Sequence, residues 1–218
     1  MVNKKAFLFD LNGTMIDDMN FHIMAWYRLL NDLGAVLSIE EVKKECYGKN
    51  SELLERIFPG RFTDEEKARM EIAKETEYQK QFRPLLKLIP GLDSFLEKAY
   101  QQKIPMAIGS AAIMFNIDFV LDGLELRHYF SSIISAESVK ESKPDPETYL
   151  ICSKELGMPA KDCIVFEDAP KGVEAAQNAG MRCVVLTTMH TKEEFGDYNN
   201  IDCFVSDYHD LQLVNLFD

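Results

Sequence analysis

FLFDLNGTMIDD, residues 7–18, is the stretch on which the fold reading turns. An apolar run stops at Asp10, and a polar turn containing Asn12, Gly13 and Thr14 follows at once. A strand buried on both faces of a parallel sheet reads this way: continuously apolar, then polar where it reaches the sheet's carboxyl edge. The same texture recurs in AFLF at 6–9, IPMAIG at 104–109, SIIS at 132–135, CIVF at 163–166, CVVL at 183–186 and CFV at 203–205. From residue 90 onward these runs alternate with helical spacing over 91–102, 114–124, 145–156 and 171–179, with a weaker segment at 210–217. Strand, helix, strand repeated in this order predicts an α/β fold with a doubly wound parallel sheet.

Between about 15 and 88 no strand-like run occurs. FHIMAWYRLLNDLG, SIEEVKKECYG, SELLERIF and TDEEKARMEIAKETEYQKQF all carry helical spacing with charged faces. Ser38 with Glu41, and Thr63 with Glu66, have the spacing of a capping box. The expected organisation is therefore an α/β core of residues 1–15 and 89–218, interrupted by an inserted α-helical cap at 16–88. An insertion leaving the carboxyl end of a strand lies over the edge where such sheets bind ligands.

Composition narrows the function classes. The 218 residues carry 24 basic and 36 acidic side chains, a net charge of −12. Nucleic-acid binders gather Lys and Arg on one face, so no nucleic-acid partner is expected. Five cysteines, odd in number and without Cys-x-x-Cys spacing, give neither a disulfide framework nor a zinc site. The start, MVNKKAFLFD, is too short in apolar residues for a signal peptide, and no stretch approaches a membrane span. The expectation is a cytoplasmic protein, a monomer without membrane partners.

The polar residues that stand out all follow strand-like runs: Asp10, Ser110, Lys143 in the loop after SIIS, and Glu167 with Asp168 after CIVF. In a parallel sheet those ends share one edge, so three carboxylates, an ammonium and a hydroxyl converge there. Hard carboxylate oxygens in that number suit Mg²⁺, which keeps waters and meets substrate phosphate.

Taken in order, Asp10-Leu-Asn12-Gly-Thr14, Ile108-Gly-Ser110-Ala-Ala, Ser142-Lys143-Pro144-Asp145-Pro146 and Phe166-Glu167-Asp168-Ala-Pro-Lys-Gly172 resemble the motifs of the haloacid dehalogenase superfamily. The chain is most similar to its helical-cap branch containing β-phosphoglucomutase and small sugar-phosphate phosphatases. The resemblance implies a Mg²⁺-dependent phosphoryl-transfer enzyme acting on a small phosphorylated metabolite. By it, Asp10 is the nucleophile that forms an aspartyl-phosphate, and Ser110, Ala111 and Lys143 hold the phosphoryl group. Asp10, the backbone carbonyl of Asn12 and Asp168 would hold the metal, Glu167 would be either a ligand through water or an acceptor behind the ligands, and Thr14 would support the turn. His22 would orient the side chain at position 12, and Lys49 lies in the loop where the branch meets substrate.

Two departures matter. Tyr47, Ser51, Ile113 and Met114 stand where the mutase branch has cationic or amide donors for a distal phosphate, which weakens mutase action against hydrolysis. Asn12 replaces the aspartate that serves the branch as general acid/base, so slow turnover is expected. A natural subgroup and an isosteric replacement of the kind made to trap complexes are both compatible with it. The competing readings are a catalytically weak binding or regulatory protein, and a superfamily hydrolase that cleaves a C–P or C–halogen bond.

Overall fold

A computed structural model describes residues 5–217. Residues 1–4, the beginning of the stretch weighed as a signal peptide, and Asp218 lie outside the described residues. The elements in chain order are β1 (Ala6–Phe9), α1 (Met19–Asp32), α2 (Ile39–Glu45), α3 (Asn50–Ile57) and α4 (Asp64–Phe82). They continue with α5 (Leu92–Gln101), β2 (Met106–Gly109), α6 (Met114–Gly123), β3 (Ser132–Ile134) and α7 (Glu147–Glu155). The chain closes with β4 (Cys163–Glu167), α8 (Pro170–Asn178), β5 (Arg182–Leu186) and β6 (Ile201–Val205), the last followed by a 3-10 segment at Leu211–Phe217. Two compact units result: one runs to Asp17 and resumes at Lys87, the other is Asp18–Leu86. No helix among the described residues is long and apolar enough to cross a membrane.

In the first unit six strands form one parallel sheet in the order β3-β2-β1-β4-β5-β6. The topology follows from burial. Every residue of β1, β2 and β4 is inaccessible, as strands covered on both faces must be. Successive β1 residues alternate between two cores. Phe7 and Phe9 pack with Phe95 of α5, Phe166 and Tyr208, and Phe9 stacks on Phe166 at 4.7 Å. Ala6 and Leu8 join Tyr149 and Cys152 of α7 and Val173 of α8. Helices therefore cover both faces of the sheet. The strand order reverses between β1 and β4, where the carboxyl ends diverge and open a crevice.

Two expectations shift. The strand read at 104–109 begins at Met106, because Pro105 has no N–H for the ladder and contributes only its carbonyl, to Phe7 N at 3.0 Å. The segment at 210–217 is 3-10, not α. Only Leu213 and Leu216 are buried there, three residues apart, which is the 3-10 period.

The second unit is the four α-helices α1–α4, closed by a 3-10 turn at Arg83–Leu85. Both capping boxes form: Ser38 and Glu41, then Thr63 and Glu66, exchange side-chain and backbone hydrogen bonds at the starts of α2 and α4. Each satisfies amides that a helix N-terminus otherwise leaves unpaired. All five cysteines are free thiols.

Candidate active site

Asp10 directly follows β1 and extends its pairing with β4, since its N–H donates to Phe166 O at 3.0 Å. The chain then turns tightly: Met15 N donates to Leu11 O and Gly13 N to Ile16 O, both at 2.8 Å. Gly13 has φ +75°, a backbone conformation that favours glycine, and a Cβ there would collide with the Asp168 carboxylate. Outside the turn, Thr188 Oγ1 donates to Gly13 O at 2.6 Å and Tyr208 OH to Thr14 O at 3.1 Å. Thr14, expected to support the turn, is buried; its carbonyl takes the Tyr208 hydrogen bond, while its hydroxyl has no hydrogen-bond partner among the described residues.

Lys143, in the loop after β3, is buried and places three donors. Its Nζ reaches Asp10 Oδ1 at 2.7 Å, Glu167 Oε1 at 2.7 Å and Gly109 O at 3.0 Å. Burial alone would lower the ammonium's pKa, but Asp10 and Glu167 outweigh it and hold the pKa above its usual value. Lys143 is therefore a permanent cation at neutral pH. Ser110, directly after β2, is buried and its Oγ accepts the Ala112 amide at 3.1 Å, with Ala111 between them in the turn. Its hydroxyl proton remains to be donated to a ligand.

Glu167, Asp168 and Asp10 offer carboxylate oxygens that all lie within 4.8 Å of one another. Three carboxylates against one ammonium leave a surplus of two negative charges, and every donor is a hard oxygen. That donor chemistry fits a small divalent cation, and the absence of a Cβ on Gly13 lets the Asp168 carboxylate lie against the turn. Glu167 differs from the other two. Its Oε1 accepts from Lys143 and from Tyr149 OH at 2.8 Å, and its Oε2 from the amides of Asp168 at 2.9 Å and Ala169 at 3.1 Å. Four donors occupy the roughly four lone-pair positions of a carboxylate. The carboxylate fits only because residue 172 is glycine: a Cβ at Gly172 would overlap Glu167 Oε1. Gly172→Ala is expected to push Glu167 from its donors and cut kcat at least about tenfold, with the α8 backbone kept, as kinetics and circular dichroism would show.

His22 and Lys49 lie in the helical unit. Lys49 precedes α3, where its N–H donates to Glu52 Oε2 at 3.1 Å. His22 belongs to a buried polar cluster that sequence reasoning missed. Its Nε2 is 3.2 Å from Asp18 Oδ2, and Lys74 Nζ is 2.8 Å from its Nδ1. Tyr78 donates to Asp18 and stacks on the His22 ring at 3.9 Å. Lys74 also pairs with Glu75 Oε1 at 2.8 Å, and Asn50 donates to the same oxygen at 2.7 Å.

Burial would raise the Glu75 carboxyl, but Lys74, His22 and the Asn50 amide hold it down at about 2. A carboxyl depressed from 4.5 contributes stability that is complete above pH 4.5 and is lost as pH falls toward 2. The magnitude is on the order of 3 kcal/mol. Acid titration by circular dichroism is expected to show this loss, and Glu75→Gln to remove it while lowering stability at pH 7. An unchanged acid transition in that variant would refute the assignment.

The chain matches the haloacid dehalogenase-like hydrolase family over residues 7–186. Fructose-1-phosphate phosphatase YqaB of Escherichia coli (strain K12) is 29% identical over 177 residues, 81% of this chain and 93% of that protein. Validoxylamine A 7'-phosphate phosphatase of Streptomyces hygroscopicus subsp. limoneus is 29% identical over 197 residues, 88% of this chain and 90% of its own length. Among solved structures, β-phosphoglucomutase from Clostridium difficile superposes with a TM-score of 0.83 at 26% identity, covering 100% of this chain and 97% of that one. Because the family match runs from β1 through β5, across every loop that carries the acidic cluster and its lysine, the chain belongs to the haloacid dehalogenase-like hydrolases.

Proposed function

We propose that the protein is a Mg²⁺-dependent phosphatase of small phosphorylated sugars or sugar-like alcohols, working through an aspartyl-phosphate on Asp10. The observation that carries this reading is Lys143 Nζ, held between Asp10 Oδ1 and Glu167 Oε1 beside Asp168. A carboxylate kept ionised by a buried ammonium is a competent nucleophile, and the same positive charge offsets that of an incoming phosphoryl group. Asp10 attacks phosphorus as the ester P–O bond breaks, and the leaving oxygen takes its proton from water, because the Asn12 amide has none to give. Water then hydrolyses the acyl phosphate and restores the carboxylate. The Ser110 hydroxyl and the amide of Ala111 hold phosphoryl oxygens.

Asp10, Asp168 and the backbone carbonyl of Asn12 would hold the metal, which when bound neutralises phosphoryl charge. Glu167, with its oxygens already engaged, serves by holding Lys143 and the Asp168 backbone. The two phosphatases reported above are named for phosphorylated sugar-like substrates. Tyr47, Ser51, Ile113 and Met114 offer no cationic grip on a second phosphate, which favours hydrolysis over mutase action.

A screen of hexose and hexitol monophosphates for phosphate release and for isomer formation, with and without chelator, tests the proposal in the parent chain and in Asn12→Asp. Metal-dependent phosphate release supports it. Isomer without phosphate would make the protein a mutase. Silence from both chains would leave a binding role and overturn the proposal.

A further inference from the structure

Tyr149 is fully buried on α7, yet its two polar contacts both concern the active-site lysine. Its hydroxyl donates to Glu167 Oε1 at 2.8 Å, the atom that Lys143 Nζ reaches at 2.7 Å. Its ring lies under that ammonium, 4.7 Å from Nζ to the centroid. The ring is locked in place: a Cβ on Gly109 would crowd Tyr149 Cε1 at 3.2 Å, so β2 and α7 meet with no slack. A phenol in an apolar layer is costly unless its hydroxyl finds a partner, and this one is spent on a carboxylate oxygen already in use.

We propose that Tyr149 is a positioning residue for phosphoryl transfer, acting through Glu167 to keep the Lys143 ammonium shared with Asp10. The inference rests on the functional reading above. Glu167 Oε1 has two lone pairs, and the hydroxyl and the ammonium take one each. Without the hydroxyl, one lone pair is left buried and unsatisfied, and among the described residues the other donor on that oxygen is the ammonium. Lys143 then centres on Glu167 and withdraws from Asp10, 2.7 Å away on its other side. The nucleophile loses its counter-charge, and the phosphoryl group loses the cation beside it. Substrate affinity set by groups remote from phosphorus is unaffected, so the loss falls on kcat.

Tyr149→Phe keeps the ring under Lys143 and removes only the hydroxyl, whereas Tyr149→Leu removes both. With an activated aryl phosphate and Mg²⁺, Tyr149→Phe is expected to lower kcat about tenfold with KM within about twofold, and Tyr149→Leu to lower kcat further. The crystal structure of Tyr149→Phe is expected to show Lys143 Nζ on Glu167 and beyond about 3.5 Å from Asp10 Oδ1, out of hydrogen-bond range. Lys143 still bridging both carboxylates in that crystal would overturn the proposal, as would an unchanged kcat with a lowered Tm, the mark of a residue that only fills the core. The crystal decides even if no ester is hydrolysed. Absence of phosphate release from the parent and from Asn12→Asp counts against the functional reading alone.

Discussion

Replacing Asn12 with aspartate is expected to raise kcat for sugar-phosphate hydrolysis by about 10²–10⁴-fold, the usual worth of a positioned general acid/base. That is about 3–5.5 kcal/mol of barrier. An alkoxide leaving group is a strong base and must be protonated as the ester bond breaks, which a side-chain amide cannot do near neutral pH. The backbone geometry that positions residue 12 is independent of its side chain. The turn is closed by Met15 N on Leu11 O and Gly13 N on Ile16 O, and it is pinned from outside by Thr188 and Tyr208. The substitution should therefore retain Mg²⁺ binding while altering the proton step. Leaving-group dependence provides the sharper reading. For an aryl phosphate whose phenolate departs without help, the gain in kcat/KM should shrink to below about tenfold, because a weakly basic leaving group gives an acid little to do. Rates measured across a series of esters would give a steep dependence on leaving-group pKa for the parent chain and a shallow one for Asn12→Asp. Equal turnover of a hexose phosphate by the two chains would show that residue 12 does not carry the proton.

The sheet was legible because strands covered on both faces have one solution in sequence, an unbroken apolar run. AFLF, CIVF and CVVL could hardly be anything else once helical segments separated them. The frame of the candidate site was legible for a related reason: Asp10, Ser110 and Asp168 each sit just past a strand and Lys143 lies in the longer loop after β3, so the topology carries them toward one edge. Tyr149 was not legible. An aromatic in a helix reads as core, and only the packing of α7 against β2 reveals that its hydroxyl ends on Glu167. The cluster of the helical unit escaped because AKETEYQK looks like a solvated charged face. Yet Lys74, Glu75, Tyr78, Gln79 and Phe82 are the buried positions of α4, and they repeat with helical period along one side. Polarity masked the periodicity: burial there is paid with ion pairs instead of methyl groups. A weighting by period alone would have found that face, but not the partners Asp18, just before α1, His22 of α1 and Asn50 of α3.

Lys143→Met is expected to destabilise the fold by about 3–5 kcal/mol and to cut kcat by at least about 10²-fold. The first figure follows from what the ammonium leaves behind. Asp10 is 8% exposed and Glu167 1% exposed, so neither carboxylate can regain water when its cation is removed. The carbonyl of Gly109 loses its donor as well. Methionine fills the volume without adding a donor, which separates the loss of charge from the loss of packing. Arginine should not rescue either property, since three acceptors at 2.7–3.0 Å surround one nitrogen and the planar guanidinium cannot place its fork in that space. The stability loss and the activity loss have different sources, and a second substitution separates them. In Lys143→Met with Glu167→Gln, the glutamine carbonyl keeps the amides of Asp168 and Ala169, while its NH₂ faces the Tyr149 hydroxyl, which can accept. One uncompensated charge is thereby removed, so the double variant should unfold at higher urea than Lys143→Met alone, with a favourable coupling of about 1–3 kcal/mol. Activity should not return, because no cation is restored beside Asp10. If Lys143→Met costs less than about 1 kcal/mol in urea unfolding, the two carboxylates do not depend on this ammonium, and the electrostatic account of the site is wrong.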